Sequence, residues 1–82
     1  MSDEHLLARI SSDPHVMAGK PVIRGTRLAV DYILGLLAHG ESVDTSLAEY
    51  QRLTIEDIQA CLAFAQKTVA ESSFVPLMPT GT

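Results

Sequence analysis

Gly19–Lys20–Pro21–Val22–Ile23–Arg24–Gly25–Thr26–Arg27–Leu28–Ala29–Val30 sets two short apolar runs on either side of a charged, glycine-bearing corner. Glycine reaches positive φ without a Cβ clash, and β-branched Val22 and Ile23 favour extended backbone. The stretch therefore reads as a tight hairpin or sharp corner. Pro21 has no N–H to give a ladder and belongs at a strand start or an edge. Upstream, His5–Ile10 is partly apolar and Asp13–Pro14 makes a turn, so residues 5–30 form one strand-like, turn-rich element.

Downstream the pattern turns helical. Asp31 is expected to cap a helix over Tyr32–His39, with Gly40 ending it. Val30, Ile33, Leu34 and Leu37 follow helical spacing, yet Tyr32 and Leu36 make the other faces apolar as well. Such a helix is covered on more than one side, and in a short chain a second subunit is the natural cover, through Tyr32 and Leu36. Ser42 opens a second helix, roughly Val43 to Gln51, with Val43, Leu47 and Tyr50 on one face. Thr54 and Asp57 resemble a capping box that starts a third helix, with Ile55, Ile58, Leu62, Ala65 and Val69 as its inner stripe. The fold class is mainly α: a short N-terminal β-element, then three helices with the short links of a helix-turn-helix unit or of a plain three-helix core. Residues 1–71 are expected to make a single small domain.

Residues 72–82 form a tail that Pro76, Pro79 and Gly81 keep from being helical, while Phe74, Val75, Leu77 and Met78 are apolar. Two readings fit this cluster. It packs on its own domain or dimer mate, or it is a segment that orders on a partner.

The chain has 82 residues, 46% of them hydrophobic, with a net charge of −4. Apolar content is too high for a disordered chain, but one core of this size is marginal. The lone Cys61 cannot form an internal disulfide, and no Cys, His, Asp or Glu spacing implies a metal or a cofactor. A homodimer is the expected remedy. The apolar run Leu34–Ala38 is far short of a membrane span, and Met1–Ser2–Asp3–Glu4 lacks the basic start of a signal peptide. A cytoplasmic chain is expected. Its acidic balance opposes nonspecific coating of nucleic acid.

Charge is unevenly placed. Residues 14–30 hold Lys20, Arg24 and Arg27 and no acid, whereas residues 31–82 hold seven acids against Arg52 and Lys67. Lys20, Arg24, Thr26 and Arg27 are thus candidates for binding phosphate or carboxylate oxygens. Against this, Arg24 or Arg27 could pair internally with Asp31 or Glu49 to pin the corner. On the third helix Glu56 and Asp57 repel a duplex, leaving Gln59 and Gln66 as potential base readers. His5, His15 and His39 are scattered, none beside a nucleophile or carboxylate at a spacing that implies a site, and Cys61 reads as a small buried hydrophobe. No catalytic residues, and no enzyme, are expected.

Arg9–Ile10–Ser11–Ser12–Asp13–Pro14, Val16–Val30 and Leu53–Ala60 together closely resemble the bacterial family called domain of unknown function four-thirty-three. The Gly-Lys-Pro-Val-Ile-Arg-Gly-Thr-Arg block is its most specific part, and the family pattern runs from about Arg9 to Ala65. The resemblance implies a β-element followed by a trihelical, helix-turn-helix-like domain, usually dimeric, grouped with VapB-like antitoxins. It further implies that Lys20, Arg24, Thr26 and Arg27 belong to the family signature. The function then expected is that of a non-enzymatic antitoxin binding a PIN-like ribonuclease toxin, with operator double-stranded DNA as a further candidate partner. A DNA-binding regulator without a toxin and a structural dimeric module are the alternatives. One departure is plain: no Lys or Arg follows Lys67, so the tail has no cation to place in an acidic nuclease site.

Overall fold

In the computed structural model, which describes residues 3–72, Ile10–Ser11 (β1) pairs antiparallel with Val22–Ile23 (β2), Ile10 opposite Ile23 and Ser11 opposite Val22. The corner expected from Gly25 is present. Thr26 N–H donates to the Ile23 carbonyl, Ile23 N–H to the Leu28 carbonyl, and Val22 bridges Ala29 across the turn. Gly25 takes φ of +79°, the conformation for which glycine carries no Cβ penalty. Pro21 precedes β2, where its missing N–H costs nothing.

One helix was not foreseen. Asp3–Leu7 (α1) lies along the last helix, where the residue pattern suggested part of a turn-rich strand element. Five residues are too few to show a helical period, and packing rather than propensity holds so short a helix. Between β1 and β2, a single 3-10 turn at Met17–Gly19 carries Met17 and Ala18 at φ of +52° and +56°. Left-handed backbone costs a non-glycine residue about 1–2 kcal/mol.

The three expected helices follow: Val30–Ala38 (α2), Val43–Glu49 (α3) and Ile55–Ala70 (α4). Asp31 does not cap α2. The N-cap is Ala29, the Val30 N–H donates to the Pro21 carbonyl, and Asp31 sits in the first turn paired with Lys20 at 3.2 Å. A backbone partner from the β-corner thus replaces the side-chain cap. Ser42 does cap α3, accepting from Thr45 N–H, though this helix ends at Glu49 because Tyr50 is extended. Thr54 and Asp57 form the full capping box of α4.

Ile23, Val30, Ile33, Leu53, Ile58 and Cys61 make the core, with Ile10, Leu28, Leu47 and Phe64 packed around it. The inner stripe expected on α4 needs correction. Ile58 is buried and Ala65 half-buried, but Ile55, Leu62 and Val69 are exposed. Helix α4 has two apolar faces, and the one through Ile58, Ala60, Cys61 and Phe64 turns inward. The burial of Cys61 pushes its thiol up to about 11, with Asp57 adding to the effect. Among the described residues no helix is long and apolar enough to cross a membrane. The tail residues Phe74, Val75, Leu77 and Met78 lie outside the described residues.

Candidate functional site

The β-corner and the α2 N-terminus bring the candidate cations to one region but give them different tasks. Arg24 donates from Nε to the Ala8 carbonyl (3.0 Å) and from a terminal nitrogen to the Ile10 carbonyl (3.4 Å), so it ties the chain after α1 to the corner. Thr26 donates its hydroxyl proton to the Ile23 carbonyl (2.7 Å) and accepts from Leu28 N–H (3.0 Å), which closes the turn. Lys20 meets Asp31, an exposed pair that contributes little to stability. Arg27 is exposed and has no hydrogen-bond or ion-pair partner among the described residues. Neither arginine is paired with the chain's own acids.

A fourth cation arrives from far along the chain. Arg52, in the turn between α3 and α4, donates to the Gly25 carbonyl at 3.2 Å. It lies beside Thr26 and Arg27 in two shallow grooves, of about 490 and 400 Å³. The linear charge pattern put Arg52 in the acidic half of the molecule. Only the non-local closure of α3 onto the corner reveals its place, and no local signal could have found it.

A further groove, about 830 Å³, runs from the β-corner along α2. Met17, Leu28, Ala29, Tyr32 and Leu36 form its apolar lining, Lys20 and Arg27 stand at it as cations, and Asp31, His39 and Glu41 complete the polar part. Tyr32 and Leu36, the residues expected at a dimer interface, both open onto it. Gln59 lies exposed on α4 and is not among the residues lining these grooves.

Tyr32 and Tyr50 lock α2 to the end of α3 at the edge of this groove. Their hydroxyls are 2.6 Å apart and their rings meet edge to face, centroids 6.2 Å apart. The hydrogen bond holds the Tyr50 proton and, with desolvation and the nearby Glu49 and Glu41 charges, pushes its pKa up to about 12. Because the folded value lies above the ordinary 10.0, the pair's stabilisation is complete below pH 10 and is lost as pH rises through 12. In a pH-jump titration followed by phenolate absorbance, Tyr50 should ionise near 12 in the intact chain. Tyr32→Phe should return it towards 10. Tyr50 titrating near its ordinary 10.0 in the unaltered chain would show that the hydroxyl bond is absent.

Among the described residues no three His, Cys, Asp or Glu side chains come together as a metal cluster. What the arrangement offers is an apolar groove with a free guanidinium at its end, beside a helix-turn-helix pair whose turn adds a second arginine.

Fold and site thus define a small, mainly helical domain in which a two-stranded β-corner stands between a short first helix and three further helices. The chain belongs to the family described as protein of unknown function DUF433, whose model matches residues 10–65. It is similar to a DUF433 member protein from Anabaena variabilis with a solved crystal structure, at a TM-score of 0.73 and 28% identity, over 83% of this chain and 67% of that one. It is also 33% identical over 57 residues to the uncharacterized protein y4eO of Sinorhizobium fredii, a match covering 70% of this chain. That match spans only 26% of y4eO, about a quarter of its length.

Proposed function

We propose that this chain is a non-enzymatic, antitoxin-like protein that acts as a homodimer and docks a small acidic partner, of the PIN-like ribonuclease class, on the groove along α2. The observation that carries the reading is Arg27, exposed and, among the described residues, unpartnered beside the apolar lining formed by Met17, Leu28, Tyr32 and Leu36. A rigid apolar patch flanked by a free guanidinium suits a partner surface that presents carboxylates, since Arg forks carboxylate oxygens bidentately. The cation that the tail lacks is supplied here by the folded domain.

A DNA-binding role is the second reading, favoured by Arg27 and Arg52 lying together beside the turn of the helix-turn-helix. Its weakness is α4, the helix that would enter the groove. Its exposed face offers Ile55, Gln59, Leu62 and Gln66, its first turn is acidic, and Lys67 pairs with Glu71. Phosphate contacts alone would position the protein without reading sequence.

Co-expression of the full-length chain with the product of the adjacent reading frame separates the readings. The first expects a stable complex with a small acidic protein and duplex binding that is weak or absent. The second expects duplex binding that falls steeply with salt, and no protein partner. Neither complex would leave the chain as a structural dimeric module.

A further inference from the structure

We infer that the outer face of α4 is the homodimer interface, with two copies of this chain crossing antiparallel on a two-fold axis near Leu62. The inference rests on the dimer of the preceding reading and not on its toxin. Ile55, Leu62 and Val69 are 43%, 49% and 69% exposed, although each is large and apolar. With Gln59 and Gln66, also exposed, they form one continuous stripe along the helix, at spacings of four and three residues.

The order of side chains selects the occupant. Read in either direction from Leu62, the stripe runs glutamine and then a β-branched residue: Gln59 and Ile55 one way, Gln66 and Val69 the other. A two-fold axis through Leu62 and perpendicular to the helix therefore sets apolar on apolar and amide on amide, each contact made twice as in any isologous interface. Leu62 meets its copy, Ile55 faces Val69 of the partner subunit, and Gln59 faces Gln66 of the partner subunit, where two amides can each donate and accept.

Charge fixes the direction. Glu56 and Lys67 are three helical turns apart and share one flank of the stripe. In an antiparallel pair that flank brings Glu56 towards the partner's Lys67, which already pairs with Glu71 of its own helix at 3.3 Å and would be shared between the two carboxylates, and the helix dipoles oppose one another favourably. A parallel pair would instead align the two helix dipoles side by side, which is unfavourable. With the dimer built on α4, the Arg27 groove on α2 stays open to a different partner.

This 82-residue chain should sediment at twice 8.9 kDa. Leu62→Glu, at an exposed position, should keep the helical circular dichroism while raising the dimer dissociation constant at least about thirtyfold. Lys67→Glu should weaken the dimer, and Glu56→Lys added to it should restore much of the loss. Leu62→Cys should give a disulfide-linked dimer on mild oxidation, while buried Cys61 stays silent. Ile55→Cys should form that bond only when Val69→Cys is present on the partner. A dimer indifferent to Leu62→Glu would overturn the interface and leave the dimer standing, with Tyr32 and Leu36 as its contacts. Cross-linking by Ile55→Cys alone would overturn the antiparallel direction. A monomer at micromolar concentration would overturn both the interface and the dimer.

Discussion

Ile33→Ala is expected to cost about 3–4 kcal/mol of folding stability, within the range usual for deleting a buried isoleucine side chain. Ile33 is fully buried where α2 meets Ile23 of β2 and Ile58 and Cys61 of α4. The buried cluster around it consists of β-branched residues, one leucine and one cysteine, which are poorly able to move in and fill the space. A domain of this length has roughly 4–12 kcal/mol in total, so the loss takes a large share of it. The melting temperature should fall by about 15–25 °C, measured at fixed protein concentration because the proposed dimer would add to apparent stability. A fall of only a few degrees would mean that α2 is not seated between the β-corner and α4. The orientation of the Arg27 groove would then be in doubt as well, since that groove runs along the other side of the same helix.

Arg27→Glu should leave folding unchanged and weaken partner binding by at least about thirtyfold, the scale for a central charged contact at an interface. Nothing within the described residues holds Arg27, so its replacement breaks no internal bond. The neighbouring arginine supplies the contrast. Arg24→Ala removes bonds to the Ala8 and Ile10 carbonyls and should loosen the N-terminal segment, so it should lower stability more than affinity. Two arginines three residues apart thus separate scaffold from surface. Equal effects of both variants on binding would point to general electrostatic attraction instead, which should then weaken uniformly with salt.

Much of this architecture was legible in the residues because local chemistry dictates it. Gly25 between two apolar runs signals the corner, Ser42 signals the start of α3, and Thr54 with Asp57 signals α4; each acts within three residues of itself. What the residues did not disclose is non-local. Helix α1 exists by packing on α4, strengthened by the 3.2 Å pair between Arg9 and buried Asp57. The inward face of α4 was misjudged because both its faces are apolar, and only the neighbouring elements decide between them. At the site, the basic corner was foreseen but its division of labour was not. Arg24 and Thr26 serve the turn, Lys20 meets Asp31, Arg27 is left free, and Arg52 joins from a distance.

The most direct measurement is calorimetric titration of the product of the adjacent reading frame into this chain and into Arg27→Glu, with matched thermal melts. Tight binding to the first and a loss of thirtyfold or more in the second is the predicted result. Equal affinity for both, or no binding to either with the fold intact, would contradict a partner site at the Arg27 groove.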